Sequence, residues 1–596
     1  MQAASASGAS GGGGNRQMKR WGPIIGVAAV VLIGGGVILA TQGGDDENSA
    51  GGDTTAAAVE TTAAAGGGTE TTAAGGSDTT AAAGAEITFP MSWSQAEAAG
   101  VTDQIDWGDR CDTTTGRIAV PDFFRSECYA PFTGDNGGAT STGVTADEIT
   151  VVYYEGPNAD PIISYVTDAI SVDDTNAQQF ETMQNIVKYY EAYYELYGRT
   201  INLVTYEGTG IATDEVAARA DAAAIVEKYQ PFAVIGGPAL TSAFADELAI
   251  NKTLCIGCTP GQPPQFYTDR DPYVWGLDGS AIQKQTHVLE FIQKQLIGKN
   301  AEHAGDALKA SPRTFGLVYL ESSGASKDLA DSFAAGMQAL GAPLAETVAY
   351  QLDPATIQQQ ASQVITKLKA AGVTTVVFSG DPVAPRDFTK EATAQEYFPE
   401  WVVAASTLVD VTAFARTYDQ QQWSHAFGVT QLAARGNPIT TGSYANYQWF
   451  SGTPPPADDT IGVISPNPAL LFTVLQGMGP NVTAETFRDT LFASDATARA
   501  ISQPSLSYGD KGIWEGVTDY QGVDDATVFW WDPVATGPDE IRKDGTGMYQ
   551  YVDGGKRFLP GEWPTEDKLF DPTGAVAIYD TPPAGEERGD YPSPAG

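Results

Sequence analysis

"AIVEKYQPFAVIGGPALTSAFADELAINKTLCIGCTPG", residues 224 to 261, decides the fold. It holds the end of one helix, a short apolar strand (FAVIGG), a small-residue loop (GGPALTS), a second helix and a second apolar run closed by a Pro/Gly loop. Strands this short and apolar, separated by helices, require crossover connections and a parallel sheet covered on both faces. Upstream, "EITVVYYE" and "INLVTYE" read as two more strands. They flank a helix over 180 to 198, "FETMQNIVKYYEAYYELYG", with a stripe of Phe180, Met183, Ile186, Val187, Tyr190 and Tyr194. The helix over 214 to 230 follows, with Thr213 as its expected N-cap.

The pattern restarts after residue 280. "TFGLVYLE", "ETVAYQL", "TTVVFSG" and "WVVAAS" are strands, and 326 to 341 and 353 to 372 are helices, the latter begun by Asp353-Pro354 and stopped by Gly372. Two such series predict two α/β lobes, each a doubly wound parallel sheet.

Ligands in such sheets bind where strand ends lead into helix N-termini. The loops there are 236 to 242, 257 to 261, 321 to 327, 379 to 385 and 405 to 410, rich in Gly, Ser, Thr and exposed amides. They suit a carboxylate or another polar group. The insertion "GPNADPIISYVTDAISVDD" after the first strand exceeds an ordinary βα loop and is placed to reshape a cleft rim. Tyr153, Tyr154 and Tyr165 read as cleft-wall or packing aromatics.

Composition narrows the partners. With 74 acidic against 33 basic residues the net charge is −41, which argues against nucleic acid or anionic lipid as the main partner. Three histidines, and no GxSxG, HExxH, Walker or supported GxGxxG motif, argue against catalysis and against a metal or cofactor site. Arg16, Lys19 and Arg20 precede the uncharged run Trp21 to Ala40, and acidic residues follow it. About 20 such residues match a bilayer core with the body outside. The segment reads as a retained transmembrane anchor or a long signal peptide.

The expected organisation is a basic cytoplasmic N-terminus (1–20), the anchor (21–41) and a disordered Ala/Thr/Gly linker (42–86). A Cys-containing extension (87–145) follows. Lobe 1 takes 146–280 plus about 425–505, lobe 2 takes 281–424 plus about 506–540, and 541–596 is a tail. Cys255 and Cys258 form a CxxC, which by itself means a redox dithiol, half a metal site or a small disulfide. Four cysteines allow three pairings; Cys111 with Cys128 and Cys255 with Cys258 closes two local loops, and an extracytoplasmic body favours oxidation.

From Gly143 to about Pro480 the chain resembles the extracytoplasmic solute-binding proteins of the branched-chain amino acid type that serve ABC transporters. The resemblance is carried by "GVTADEITVVYY", the opening stretch quoted above, "DPYVWGLDGSAIQKQTHVLEFI", "TFGLVYLESSGASKDLADSFAAGMQALG" and "GPNVTAETFRDTLF", in that order. It implies a Venus-flytrap (type I periplasmic binding protein) fold: two lobes, three crossover strands and a solute held between. By motif position, first-lobe contacts fall on Leu240, Thr241, Ser242, Thr259 and Gly261, with Tyr154 on the cleft wall. Second-lobe contacts fall on Ala325, Ser326, Ser379 and Thr407. Leu240 stands where a small hydroxyl residue is usual, and Thr407 where some members place a carboxylate; Asp381 is the nearby substitute. The implied function is capture of a small polar solute (amino acid, amide or related compound) for a membrane permease. A membrane-tethered sensor of the same fold is the alternative.

Overall fold

The computed structural model describes residues 87–596 except Pro260, Ser323, Ser406 and Thr407. The expected cytoplasmic N-terminus, membrane helix and linker, and Thr407, lie outside the described residues.

The extension carries a small hairpin, β1 (Cys111–Asp112) with β2 (Arg117–Ile118), and its own core of Met91, Ala96, Val101, Trp107 and the Cys111–Cys128 disulfide. Arg110 joins it to Glu195 at 2.6 Å, and Arg199 donates to the carbonyls of Asn136 and Gly138. The extension is therefore docked on the lobe that follows it.

Lobe 1 is built on five strands: β3 (Glu148–Glu155), β4 (Thr200–Glu207), β5 (Ala233–Ile235), β6 (Leu254–Ile256) and β7 (Val274–Trp275). They pair in parallel in the order β4-β3-β5-β6-β7. Helices Asn176–Tyr193, Glu215–Tyr229 and Ala243–Ile250 cover it, joined later in the chain by Gly442–Ser451, Pro466–Met478 and Ala484–Ala493. The stretch Ile461–Met478 is apolar enough to match a membrane span, but it is mostly buried here, with Leu471, Phe472 and Leu475 in the lobe core. Two helix starts differ from the sequence reading. Asn176 follows a Thr175–Gln178 capping box, and Asp214 rather than Thr213 caps the next helix, accepting from Val216 and Ala217. A carboxylate carries a full charge to the N-terminus, which a hydroxyl does not.

Lobe 2 holds β8 (Phe315–Leu320), β9 (Glu346–Tyr350), β10 (Thr375–Ser379), β11 (Glu400–Ala404) and β12 (Ala426–Thr430), mutually parallel. The chain then returns to lobe 1 for the antiparallel pair β13 (Leu506–Gly509) and β14 (Asp519–Val523), whose Tyr508 and Tyr520 pack in that core. It crosses back for β15 (Ala526–Pro538), β16 (Asp544–Tyr551) and β17 (Arg557–Phe558), added antiparallel beyond β12. The finished order is β16-β15-β12-β11-β10-β8-β9, with β17 also on β15.

The segment boundaries expected from sequence shift accordingly. Residues 426–430 lie in the second sheet, 506–523 pack with lobe 1, and 544–558 are sheet rather than tail. Pairing between strands about a hundred residues apart decides this, and local pattern does not carry it. Alternation along the strands separates the two faces of the second sheet. Val318, Leu320, Phe529 and Trp531 enter one core, and Phe315, Leu317, Val528 and Trp530 the other.

Candidate functional site

The cleft-facing loops follow β3, β5 and β6 in lobe 1 and β8, β10 and β11 in lobe 2. A cavity starts beside Gly261 and runs into lobe 2 between helices Ala281–Phe291 and Gly324–Ala339 and the sheet. Gly261, Ser326 and Ser379, all expected from sequence, line it.

The other expected residues stand apart from this cavity. Thr241 caps helix Ala243–Ile250 locally, its hydroxyl accepting from the Ala243 amide at 3.1 Å; Ser242 heads the same helix without a side-chain cap bond. Thr259 is buried, its hydroxyl accepting from Gln262 Nε2 at 3.3 Å and its carbonyl from the Tyr267 hydroxyl at 2.9 Å. Leu240 packs against the lobe 2 core and Ala325 is buried at the head of its helix. Tyr154 is buried against Phe244 and Tyr206, beside a smaller pocket formed with Asp160, Ile163 and Ala239.

Asp381 is not poised to meet a ligand's ammonium group. One oxygen accepts from the amides of Val383 and Ala384 at 2.8 and 2.9 Å, and the other from the Tyr350 hydroxyl at 2.6 Å. It caps helix Ala384–Ala394 inside the lobe, and burial pushes its carboxyl up despite those bonds.

Sequence reasoning missed a charged group at the cavity. Lys284 lines it and pairs with Asp278 at 2.6 Å. Ala281, Lys284, Gln285 and Val288 fall at i, i+3, i+4 and i+7, a helix stripe readable in the sequence, and all four line the cavity. Nearby Asp410 is buried, with Oδ2 accepting from Thr430 at 2.5 Å and Oδ1 without a partner among the described residues. Burial raises its pKa to about 7, against lowering by the Thr430 bond and by Lys284.

The histidines serve structure. His287 accepts at Nδ1 from Trp563 at 3.1 Å, so Nε2 carries the proton and donates to the Asp524 carbonyl at 3.0 Å. Burial lowers it to about 4, with burial lowering His303 and His425 as well.

The CxxC is a disulfide, Cys255 to Cys258, joining the end of β6 to the loop before Thr259. Gly257 between them has φ +67°, and a Cβ there would stand 2.3 Å from the Asn467 side chain, so only glycine fits the turn. The clip presses the loop on its neighbour: a Cβ on Gly237 would meet the Cys258 carbonyl at 3.0 Å.

The lobes also touch away from the crossovers. The insertion forms helix Pro161–Ile170, capped by Asp160, which sends Ile163 and Val166 into the lobe 2 core. Tyr165 donates to Asp387 at 3.3 Å, under the Arg386 guanidinium. Between β15 and β16, Arg542 reaches Asp458 at 2.7 Å, and Lys543 donates to the carbonyls of Ile170 and Ser171 at 3.0 and 2.9 Å. A cation at those last carbonyls complements the helix dipole.

Two α/β lobes, three crossings and a cavity opening at the cleft define a two-lobed binding protein. A family model described as periplasmic binding protein matches residues 171–501, more than half of the chain, and the chain belongs to that family. Similar solved structures include an ABC-transporter solute-binding protein from R. palustris in complex with 4-hydroxybenzoate (13% identity, 70% of this chain and 99% of that one, TM-score 0.48). A fatty acid ABC transporter substrate-binding protein from Thermomonospora curvata is 13% identical over 73% of this chain and 100% of that one, at TM-score 0.47. A leucine-, isoleucine-, valine-, threonine- and alanine-binding protein from Brucella ovis is 12% identical over 71% of this chain and 98% of that one, at TM-score 0.48. No curated protein matches.

Proposed function

We propose that this protein is an extracytoplasmic receptor that captures a small solute at the cleft between its lobes and delivers it to the permease of an ABC transporter. The observation that carries the reading is a cavity lined by Gly261 of the first lobe and by Ser326 and Ser379 of the second. Family membership supports it, and two disulfides closing local loops fit an oxidising compartment outside the cytoplasm. In this reading the apolar run Trp21 to Ala40 holds the body at the membrane, and lobe closure over the solute is the state the permease reads.

Thermal-shift screening of the full-length chain against amino acids, amides, urea, short peptides and aromatic acids tests this. A bound solute at a hundred times its Kd adds about 2.7 kcal/mol to stability. A flat profile with every small solute would remove the receptor reading.

The Arg542 contact gives a second test. It crosses between lobes, so Arg542→Ala is expected to shift the population toward separated lobes. A partly exposed pair contributes about 1 kcal/mol, so the solute affinity should fall roughly five-fold. Small-angle scattering of the solute-bound protein should show a larger radius of gyration. Unchanged affinity and scattering would show that the contact does not bias closure.

A further inference from the structure

We infer that helix Pro161–Ile170 is a built-in latch, which holds the two lobes closed on each other through protein contacts and without help from a solute. The inference goes beyond the receptor reading, and its test is read on the protein alone. By its roots the helix belongs to lobe 1. It grows from the loop after β3, and Asp160 fixes its start: Oδ1 accepts from the amides of Ile162 and Ile163 at 2.8 and 3.2 Å, and Oδ2 from the amide of Ala212. Pro161 stands where a helix needs no amide, and Ser171 ends the helix at φ +58°.

By its apolar face the same helix belongs to lobe 2. Ile163, Val166 and Ile170 fall at i, i+3 and i+7, one stripe of a helix. Ile163 is 4% exposed and Val166 1%, and both sit in one core with Val383, Phe388, Val411 and Phe414 of the second lobe. Ala212 and Ala239, also from lobe 1, join that core. Separating the lobes would return these side chains to water. Burial of branched side chains outweighs partly exposed ion pairs, so the stripe drives the closure and the polar contacts set its register.

Those polar contacts engage the helix along its length. In its middle, the Tyr165 hydroxyl donates to Asp387 at 3.3 Å and accepts from Arg386. At its end, Lys543 donates to the carbonyls of Ile170 and Ser171. Beside it Arg542 pairs with Asp458 and lies over the Tyr444 ring of lobe 1 at 4.4 Å. Arg542 does so at φ +67°, a left-handed conformation that a side chain disfavours. Such strain persists where the surroundings over-determine it, here at the turn that grips the latch.

Under the receptor reading the latch has two consequences. The closed arrangement needs no work from the solute, so affinity gains from pre-organisation. Entry waits for the helix to leave lobe 2, so association is slower than for lobes that stand apart.

Small-angle scattering and hydrogen exchange on the full-length chain, with no solute added, test the latch. The parent should scatter as closed lobes, with slow amide exchange in helices Ala384–Ala394 and Thr412–Ala415 of lobe 2. Ile163→Ser combined with Val166→Ser should enlarge the radius of gyration and speed exchange in those two helices at least about ten-fold, while circular dichroism stays unchanged. Tyr165→Phe combined with Lys543→Ala leaves the apolar stripe intact and should speed the same exchange roughly three-fold. That second pair decides the matter should the serine pair misfold. Scattering and exchange that neither pair alters would overturn the latch. So would a parent that scatters as separated lobes.

Discussion

Arg557→Met is expected to cost about 3–5 kcal/mol of stability, the usual effect of stripping one partner from a buried ion pair. Arg557 and Asp525 are both almost wholly buried and lie 2.8 Å apart. The guanidinium also donates to the carbonyls of Leu432 and Gln431 at 2.7 and 2.9 Å, and to that of Asp525 at 3.0 Å. Three separate segments therefore meet on one side chain: β17, the chain leaving β12, and the crossing between β14 and β15. Without Arg557, Asp525 would be left as an uncompensated buried carboxylate, and its Oδ2 is already without a partner. Lysine should recover little, because a point charge cannot reach the three segments that the planar fork spans. Denaturant midpoints of Arg557→Met, Asp525→Asn and the double variant test this. The double variant should lie well above Arg557→Met alone. If Arg557→Met unfolds within 1 kcal/mol of the parent, the junction does not hold the crossings together.

The second large effect is expected from pH. Burial raises Glu155, Asp410 and Asp524 to about 7, and Asp459 and Asp519 to about 6. Their ordinary values are 3.8 for aspartate and 4.5 for glutamate. Between those limits the folded chain binds more protons than the unfolded one. Stability from these groups is full near pH 4 and is lost as pH rises through 6 to 7. The net charge of −41 adds self-repulsion in the same direction.

The histidines oppose this. All three are lowered from 6.5, so the unfolded chain gains protons ahead of the folded one as pH falls below that value. The raised carboxylates outnumber the histidines, so stability is higher at pH 5.5 than at pH 7.5. Scanning calorimetry at matched ionic strength should give a Tm several degrees higher at pH 5.5 than at 7.5, and Asp410→Asn should flatten the profile. A Tm that falls steadily from pH 7.5 to 5.5 would contradict this balance.

Strands buried on both faces leave a signature that survives without any long-range information. β8 is apolar throughout, and β3 and β10 carry apolar runs of three or four residues, so the two-lobed α/β plan is legible from short windows. What those windows lack is partner choice. Nothing in "GVDDATVFWWDP" says that its strand will pair with β12 rather than extend lobe 1. The insertion was visible as excess length, but its helix, and the Ile163 and Val166 it sends across the cleft, depend on a surface in the other lobe.

The candidate site divides in the same way. Strand-end loops pointed to Gly261, Ser326 and Ser379 because topology alone puts loops there. Asp381 caps a helix in this structure; a carboxylate in such a loop can serve a helix cap or a ligand, and only the direction of its oxygens separates the two. Lys284 was overlooked because it lies one turn into a helix. The stripe it shares with Ala281, Gln285 and Val288 announces a buried face with a charge in it.

The route of the last forty residues bears on which part of the molecule moves. After β17, Trp563 and Leu569 pack in lobe 2, and the Tyr579 amide donates to the Arg435 carbonyl. Glu586 accepts from Ile501 and Ser502, Arg588 donates to the carbonyl of Pro121, and the Tyr591 hydroxyl donates to Asp112. The chain that enters through the extension and the chain that leaves through residue 596 therefore rest on the same lobe. An attachment made at either terminus would clamp lobe 1 as the stator and leave lobe 2 to swing. A label at the C-terminus would be carried by the stationary half, and one on the β15–β16 turn by the moving half.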